Sequence, residues 1–306
     1  MGRTTHLDGE LEIESGDGTI LTDKIGFFDS ASNNIDNNTE TSAGIGGGAN
    51  YDYNNDGVVQ MDGSQEARII DLSAIPMLFG TYTDNGDGTW SGTLDDELPI
   101  HNAVRQTTDD TDTENLEFVD VKFGSFTLDI SKGEEVSLSL DWMAKDVNEY
   151  GSAITTAKPS LDPLMFFNAH VELDGTAVGD FESVSIDYDR DLEANKPITQ
   201  DSSGEKRKPK YLDEKMKNLS VDLTIEVNDT WAWKQATNIG TAGDGNSIVE
   251  DERDDHTLAV VFDNGDKIEL TGVRVGNVET EEGNEGEIKT ADLTANALAG
   301  TLSGST

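Results

Sequence analysis

Residues 121–144, VKFGSFTLDISKGEEVSLSLDWMA, contain two runs in which apolar and polar residues alternate. The first run alternates from Phe126 to Ile130, and the second continues as far as Trp142. Successive side chains of a β-strand point to opposite faces, so each run predicts a strand with one buried face and one polar face. The residues between them, 131–133 (SKG), predict a turn, and the whole stretch therefore predicts a β-hairpin.

The same pattern returns in two later segments, 181–189 (FESVSIDYD) and 219–227 (LSVDLTIEV). The likeness of FGSFTLDI to FESVSIDYD predicts an internal duplication of a β unit, over about 120–145 and 180–228. The polar positions of the four predicted strands carry only hydroxyl and carboxylate side chains. They are Ser125, Thr127, Asp129, Ser137, Ser139, Asp141, Ser183, Ser185, Asp187, Ser220, Asp222, Thr224 and Glu226.

Further elements are predicted on both sides of these strands. Residues 81–94 and 256–275 each contain two strand-like runs around a Gly-containing turn pair, DG and NG respectively, which predicts two more hairpins. The apolar cluster at 68–80 predicts a short helical or buried segment that ends at its last glycine, and 227–236 (VNDTWAWKQA) predicts the start of a short helix. The fold class is therefore predicted to be mainly β, with one or two short helices.

The local composition of the sequence predicts three regions along the chain. Residues 1–67 are rich in Asp, Asn, Gly, Ser and Thr and predict an acidic, loop-rich extension, with one short strand in ELEIES near its start. Residues 68–300 hold the alternating segments and predict one β domain. Residues 301–306 are mostly small and polar and predict a tail, with a final strand as the alternative interpretation.

The charge balance is extreme, because 21 Lys and Arg face 62 Asp and Glu, which gives a net charge of −41. At low ionic strength such a charge repels itself, but salt of about 1 M shortens the screening length to roughly 3 Å. The composition therefore predicts a protein from a halophilic source. The N-terminus lacks the apolar stretch of a signal peptide, and no run approaches the ~20 apolar residues of a membrane span, so no membrane partner is expected.

Signals for enzymatic chemistry are missing from the sequence. The chain has no cysteine, and its four histidines have neither metal-ligand spacing nor a triad pattern. Phosphate-binding loops and the G-x-S-x-G elbow are absent as well. Two carboxylates can act as the acid and base of a glycosidase, but carboxylate pairs occur throughout so acidic a chain and do not indicate an active site. We therefore expect a protein that is not an enzyme and that has no cofactor, except for bound calcium or other cations at the segment described next.

One segment resembles the start of a calcium loop. Asp52, Asn54 and Asp56, followed by Gly57, match the D-x-[DN]-x-[DN]-G pattern, but the twelfth position is Gly63 instead of the bidentate Glu. Two interpretations stay open, a weak calcium site and a plain loop rich in Asp and Asn.

A single segment, EKRKPKYLDEKMK at 205–217, concentrates basic residues. A charge run is usually a solvated face, but in a chain this acidic it is also a candidate for pairing with an acidic surface of another copy. The basic residues of this segment are Lys206, Arg207, Lys208, Lys210, Lys215 and Lys217.

The order of these pieces resembles the tail tube proteins of tailed viruses, in the form found in siphovirus-like particles. The resemblance begins with IIDLSAIPMLFGTYT and LDDELPIHNAV, and runs through the first hairpin to PLMFFNAHVELDGTAVGDFESVSIDYDRDLEANKPI. It continues with HTLAVVFDNGDKIELTGVRV and ADLTANALAG, and so covers about residues 68–300. The long acidic insertions and the loop at 200–217 depart from the family pattern.

The resemblance implies a tail-tube-type β-sandwich or barrel, whose long hairpins contribute to the inner barrel of a hexameric ring. Such rings stack with themselves and other tail proteins into a hollow tube in the virion tail, after assembly in the host cytoplasm. The thirteen polar positions would then face a lumen through which DNA passes without specific binding, in a virus of a haloarchaeon. A calcium-dependent, adhesin-like cell-surface domain is the alternative, and a polysaccharide-active enzyme is the third interpretation.

Overall fold

A computed structural model describes most of the chain between residues 8 and 305, and β-strands dominate it, as the alternation predicted. The described residues are 8–15, 25–36, 39–42, 53–56, 59–95, 97–108, 113–151, 162–178, 181–195, 209–226, 255–281 and 290–305. No helix within these ranges is both long and apolar enough to cross a membrane.

The strands of the described residues are, in chain order, β1 (Asp8–Ser15), β2 (Gly26–Asp36), β3 (Thr39–Ser42), β4 (Tyr53–Asp56), β5 (Gln60–Ile69), β6 (Gly80–Asp84), β7 (Thr89–Leu94), β8 (His101–Thr108), β9 (Thr113–Ser131), β10 (Ser137–Ala144), β11 (Asp146–Glu149), β12 (Ala169–Leu173), β13 (Thr176–Ala177), β14 (Phe181–Asp189), β15 (Leu192–Asn195), β16 (Tyr211–Glu214), β17 (Asn218–Glu226), β18 (His256–Phe262), β19 (Lys267–Glu281), β20 (Thr290–Asn296) and β21 (Ala299–Ser305). Helix α1 spans Ala74–Phe79, and a 3-10 turn spans Phe166–Asn168.

The four strands with the predicted polar positions, β9, β10, β14 and β17, lie at the centre of one large antiparallel sheet, here called sheet I. Its strand order is β2-β5-β10-β9-β14-β17-β20-β19. The β9–β10 pair places Leu128 opposite Leu138, and β14 continues the same buried row with Ile186. Each of these side chains is fully buried, because the period-two pattern puts these alternate positions on one face of the sheet.

A second sheet, sheet II, covers the apolar face of sheet I. Its order is β13-β12-β18-β19-β21-β7-β6, and β19 passes from one sheet into the other. Val221 and Leu293 of sheet I line the same apolar cavity as Leu173 and Leu258 of sheet II. The two sheets therefore form a β-sandwich with a shared core, which confirms the predicted fold class.

The long strand β9 also takes part in a third sheet, sheet III, through its first half. The order there is β1-β8-β9-β11. Asp120, at the change from one sheet to the other, has a positive φ of 53°. Phe118, in the first half of β9, packs edge-on against Trp142 of β10, with ring centroids 4.8 Å apart, so sheet III is joined to the main core.

Helix α1 closes one side of the sandwich. It is six residues long and ends at Gly80, where β6 begins, as the sequence predicted. The Phe79 ring lies 4.8 Å from Phe126 and 5.4 Å from Tyr188, and those two rings stack on each other. Burial of this aromatic cluster explains why so short a helix is stable, since an isolated helix of this length would not form.

Glycine permits the hairpin turns. Gly133 between β9 and β10 has φ 83°, and Gly265 between β18 and β19 has φ 94°. In the β6–β7 turn the positive φ angles belong to Gly86 and Gly88, not to Asp87 as the two-residue turn would require. Asp87 instead accepts the backbone N–H two residues further on, as Asp does in turns.

The structure differs from the predicted boundaries at both ends of the main domain. β5 crosses the boundary between 67 and 68, and both β2 and β5 belong to sheet I, where Met61 and Ala67 are buried. The predicted strand in ELEIES is confirmed as part of β1. At the other end, residues 301–305 lie in β21 and bury Leu302, because the free edge of β19 offers backbone groups that a strand can pair with. The helix predicted at 227–236 lies outside the described residues.

Candidate functional site

The predicted polar positions of β9, β10, β14 and β17 share one face of sheet I. Twelve of their side chains are exposed or half-buried, while the residues between them are buried. The thirteenth position, Glu226, is the last residue of β17. We call this surface the polar face. No sequence pattern required the β9–β10 pair and the β14–β17 pair to be neighbours, but β9 pairs with β14 and joins them into one surface.

The register aligns these residues into rows that run across the sheet. One row contains Ser137, Asp129, Ser185, Asp222 and Thr294, each directly opposite the next on the adjacent strand. Another row contains Ser139, Thr127, Asp187, Ser220 and Asn296. Serine or threonine therefore separates many carboxylates that would otherwise face one another, which relieves the like-charge repulsion of direct cross-strand pairs.

Hydroxyl groups hold the carboxylates of the polar face in place. Charge-assisted hydrogen bonds of this type are stronger than neutral ones, so they fix the carboxylate positions. A hydroxyl proton directed to a carboxylate is not available to another acceptor, and the surface consequently presents acceptor oxygens outward. The bonds run from Ser125 to Asp141 (2.9 Å), from Thr127 to Asp187 (2.6 Å), from Ser185 to Asp129 (2.6 Å) and from Thr224 to Asp292 (2.6 Å).

Two of these bonds are related by a local two-fold axis between β9 and β14. Aligning FGSFTLDI with FESVSIDYD makes Thr127 equivalent to Ser185 and Asp129 equivalent to Asp187. Exchanging the two strands therefore maps the Thr127–Asp187 bond onto the Ser185–Asp129 bond, at the same length. This is the geometry that two copies of a duplicated β unit would give when they pair edge to edge, and the duplication itself stays a prediction.

Arginines enter the polar face only at its margins within the described residues, and both are paired. Arg68 of β5 lies opposite Ser137 and contacts Glu135 at 3.0 Å. Arg274 of β19 contacts Asp255 at 2.5 Å, and this partner raises the pKa of the guanidinium. Their charges are balanced locally, so the polar face keeps its negative character.

A groove of about 840 Å³ indents the polar face near the end of β10. Five aspartates line it, namely Asp62, Asp141, Asp187, Asp189 and Asp191. In the part of the chain that the structure describes, no three or more acidic or histidine side chains are arranged to hold a metal ion. The groove therefore adds negative charge to the face.

The structure places the predicted basic segment partly in a small hairpin, β15–β16, above the end of sheet I. Lys206, Arg207 and Lys208 lie outside the described residues. Lys215 contacts Asp191 at 2.8 Å and Glu193 at 3.9 Å, and the hydrogen bond to Asp191 raises the pKa of this lysine. The remaining two engage their own chain as well: Lys210 lies over the Tyr211 ring, and Lys217 donates to the Leu94 carbonyl at 3.5 Å.

Glu214 anchors the β15–β16 hairpin, and sequence analysis did not single it out. Its carboxylate contacts Lys122 of β9 at 2.5 Å and Arg190 at 2.8 Å, and all three side chains are nearly buried. The backbone N–H of Leu98 donates to the same carboxylate at 3.2 Å. In the sequence Glu214 is one acid within a charge run, and no local signal distinguishes it from a solvated residue.

The residues of the calcium hypothesis are only partly described. Asp52 lies outside the described residues, while Asn54 and Asp56 belong to β4, whose extended backbone pairs with β3. Calcium binding at this segment stays a prediction.

The described histidines are embedded in the fold separately from one another. His101 is buried against Phe123, and burial lowers its pKa to about 4, opposed by the Leu78 backbone carbonyl. His256 lies 2.8 Å from Asp174 at the start of β18. His170 of β12 lies 3.4 Å from Glu172, so each of the three described histidines lies on a different element and has its own neighbours.

Comparison with protein families gives one match. The model of a family described as phage tail tube protein matches residues 71–297 of the 306-residue chain. No curated protein matches the chain. The matched region contains α1 and the four strands of the polar face, whereas β2 and β5 precede it.

Proposed function

From the premise that the chain belongs to the phage tail tube protein family, and is therefore a structural protein of a viral tail, we propose that it assembles as hexameric rings. The rings stack into a hollow tube, and the polar face of sheet I lines the lumen through which viral DNA passes. The observation that carries this proposal is the continuous polar face, whose carboxylates are fixed by hydroxyl groups and whose marginal arginines are already paired.

The chemistry of this face favours passage over retention of DNA. Proteins grip the phosphate backbone with Lys and Arg, which release condensed counterions. In salt of about 1 M the screening length is roughly 3 Å, so only groups at contact distance matter. The four central strands offer hydroxyl and carboxylate groups at that distance, and neither forms an ion pair with phosphate. DNA would therefore slide along the wall.

The strand order indicates how a ring would close. The predicted lumen strands β10 and β17 are paired within the chain by β5 and β20, so closure would use the outermost described strands, β2 and β19. All eight strands of sheet I alternate in direction. Copies placed side by side in one orientation would thus continue the antiparallel pattern, which removes open edges from the assembly.

The finer assignment is to a siphovirus-like virus of a haloarchaeon, and the acidity supports its halophilic part. A surface of net charge −41 needs concentrated salt before many copies can come together, because the screening length must fall well below the spacing between subunits. In the basic segment, Lys206, Arg207 and Lys208 are the residues we assign to contact with an acidic neighbouring subunit.

Electron microscopy of the purified full chain tests the assembly. In salt of about 3 M, where screening is nearly complete, we expect rings and tubes by negative stain. A persistent monomer whose melting temperature depends on calcium would contradict the proposal and favour the adhesin-like alternative.

Charge reversal tests the lumen. Virions that carry Asp141→Lys, Asp187→Lys and Asp222→Lys should assemble but release DNA more slowly, because each lysine offers a phosphate contact. A matched control reverses Glu97, Glu149 and Asp162, which are exposed acids outside the polar face. Equal release rates from both sets of virions would show that the polar face does not meet DNA.

A further inference from the structure

Three large apolar side chains are far more exposed than others in the described chain. The exposed fraction is 69% for Phe167, 91% for Met216 and 67% for Leu298, whereas the remaining exposed large hydrophobics lie between 41% and 48%. Single exposed apolar residues are common on protein surfaces, but in a chain of a tail tube family the most exposed ones on held backbone are candidates for contacts between copies. Backbone hydrogen bonds hold Leu298 itself and the residues next to Phe167 and Met216.

Phe167 projects from the 3-10 turn at one end of sheet I. On one side of it, the Phe166 N–H donates to the Glu134 carbonyl at 3.1 Å, and the Phe166 ring lies 4.6 Å from Phe181. On the other side, the backbone carbonyl of Asn168 accepts the N–H of Asp263 at 2.8 Å. Both neighbours of Phe167 are therefore fixed, while its own ring points into solvent.

Met216 and Leu298 both lie at the opposite end of sheet I. Met216 precedes β17, and the Ala297 N–H donates to the Leu219 carbonyl at 2.8 Å, which holds the β20–β21 connection beside the start of β17. The Leu298 N–H donates to Thr271 at 3.0 Å. Its side chain lies over Gly272, at a position where any Cβ would displace it. This end of the sheet thus carries two exposed apolar side chains, Met216 and Leu298.

The two ends are separated along the strand direction. Ser131, at the Phe167 end, is the last residue of β9, and Ser125 of the same strand pairs with Asp189, which pairs with Asn218 beside Met216. A strand rises about 3.3 Å per residue, so the ends lie about 20 Å apart along β9. Copies stacked along this direction would bring the Phe167 end of one against the Met216 end of the next.

We propose that Phe167 of one copy docks against Met216 and Leu298 of a second copy, and that this contact joins successive rings of the tube. The inference rests on the proposed function and assigns residues to its ring-to-ring contact. Because the contact uses two different surfaces, it is head-to-tail and does not close on itself, which is the symmetry of an open, growing tube.

Charge supports a second copy as the occupant. Acidic surfaces of a chain with net charge −41 repel one another, but lysines lie beside both apolar ends. Lys132 stands at the Phe167 end, 3.6 Å from Glu182, and Lys215 stands at the other end, 2.8 Å from Asp191. An apolar contact also keeps its strength in concentrated salt, where surface ion pairs are screened.

Disulfide trapping tests the contact directly, since the chain has no cysteine of its own. A double variant, Phe167→Cys with Met216→Cys, is assembled in high salt and then oxidised. We expect a ladder of covalent multimers well beyond the dimer, because each chain has one cysteine at each end. The matched control, Phe167→Cys with Thr301→Cys, places the second cysteine in β21 of sheet II and should give no ladder.

A second variant keeps the test independent of the cysteine chemistry. Phe167→Ser should leave single rings intact and raise the protein concentration needed for tubes by about tenfold or more, as for loss of one central contact residue. Tubes that form normally from this variant, or wild-type-like tubes whose double-cysteine version gives no ladder, would overturn the inference alone. Absence of both rings and tubes from the wild-type chain would overturn the proposed function as well.

Discussion

Replacing His101 by glutamine should make the stability of the protein less sensitive to acid. The His101 side chain is 2% exposed and packs against Phe123, with ring centroids 5.7 Å apart. Burial disfavours the charged imidazolium and lowers its pKa from 6.5 to about 4. Glutamine keeps a polar side chain at this position, but it does not titrate in this range.

The pKa shift gives the sign and size of the effect. Between pH 6.5 and 4 the unfolded chain binds a proton at His101 that the folded chain does not, so the free energy of unfolding falls as the pH falls. Each pKa unit corresponds to about 1.4 kcal/mol, and a shift of about 2.5 units therefore removes about 3 kcal/mol once the pH reaches about 4. Above about pH 7 this contribution is fully present.

Urea unfolding of the wild type and of His101→Gln at constant high salt measures the difference. Many carboxylates titrate in the same range, so the informative quantity is the wild-type loss between about pH 7.5 and 4 minus the loss of the variant, expected at about 3 kcal/mol. His101→Phe serves as a second non-titrating variant, and it should show the same pH slope whatever its absolute stability. Equal slopes for the wild type and both variants would refute the argument from burial.

Two further predictions concern buried carboxylates. Glu214→Gln should lower the free energy of unfolding by about 3 kcal/mol, because it leaves the nearly buried Lys122 and Arg190 without their shared counter-charge. Thermal unfolding of the variant and the wild type measures this difference. A change near zero would contradict a stabilising role for these three side chains. Asp266 is fully buried, and burial raises its pKa although its carboxylate accepts the Leu72 N–H at 3.1 Å. Ionisation of Asp266 therefore lowers the free energy of unfolding as the pH rises through the folded-state pKa. Asp266→Asn should be more stable than the wild type at high pH but not in acid. A difference in stability between the two that does not change with pH would contradict this.

Local patterns predicted the strands and the orientation of their side chains. Leu128 and Leu138 are buried, and Asp129 and Ser139 are not, as the alternation required. The turn predicted at 131–133 is present, and Gly133 there adopts the left-handed conformation that glycine permits. The family match over 71–297 likewise agrees with the resemblance drawn from the order of these pieces.

Other features had no local signal. Residues 1–67 have a loop-like composition, yet β2 and β5 extend sheet I, because the exposed edge of β10 accepts any segment that can supply an extended backbone. Glu214 resembles a solvated acid in a charge run, and only its contacts with β9 and Arg190 show that it anchors a hairpin. The apolar ends at Phe167 and Met216 were also invisible, because exposure depends on what surrounds a residue in space.

Alternation and charge are properties of neighbouring residues, so the amino-acid sequence is sufficient to predict a β-rich, acidic chain whose central strands each have one apolar and one polar face. The pairing of β9 with β14 appears only in the folded chain, since it depends on backbone edges distant in sequence. That single pairing joins two separate polar faces into one surface. It places Thr127 against Asp187 and Ser185 against Asp129, and thereby fixes the carboxylates of the proposed lumen.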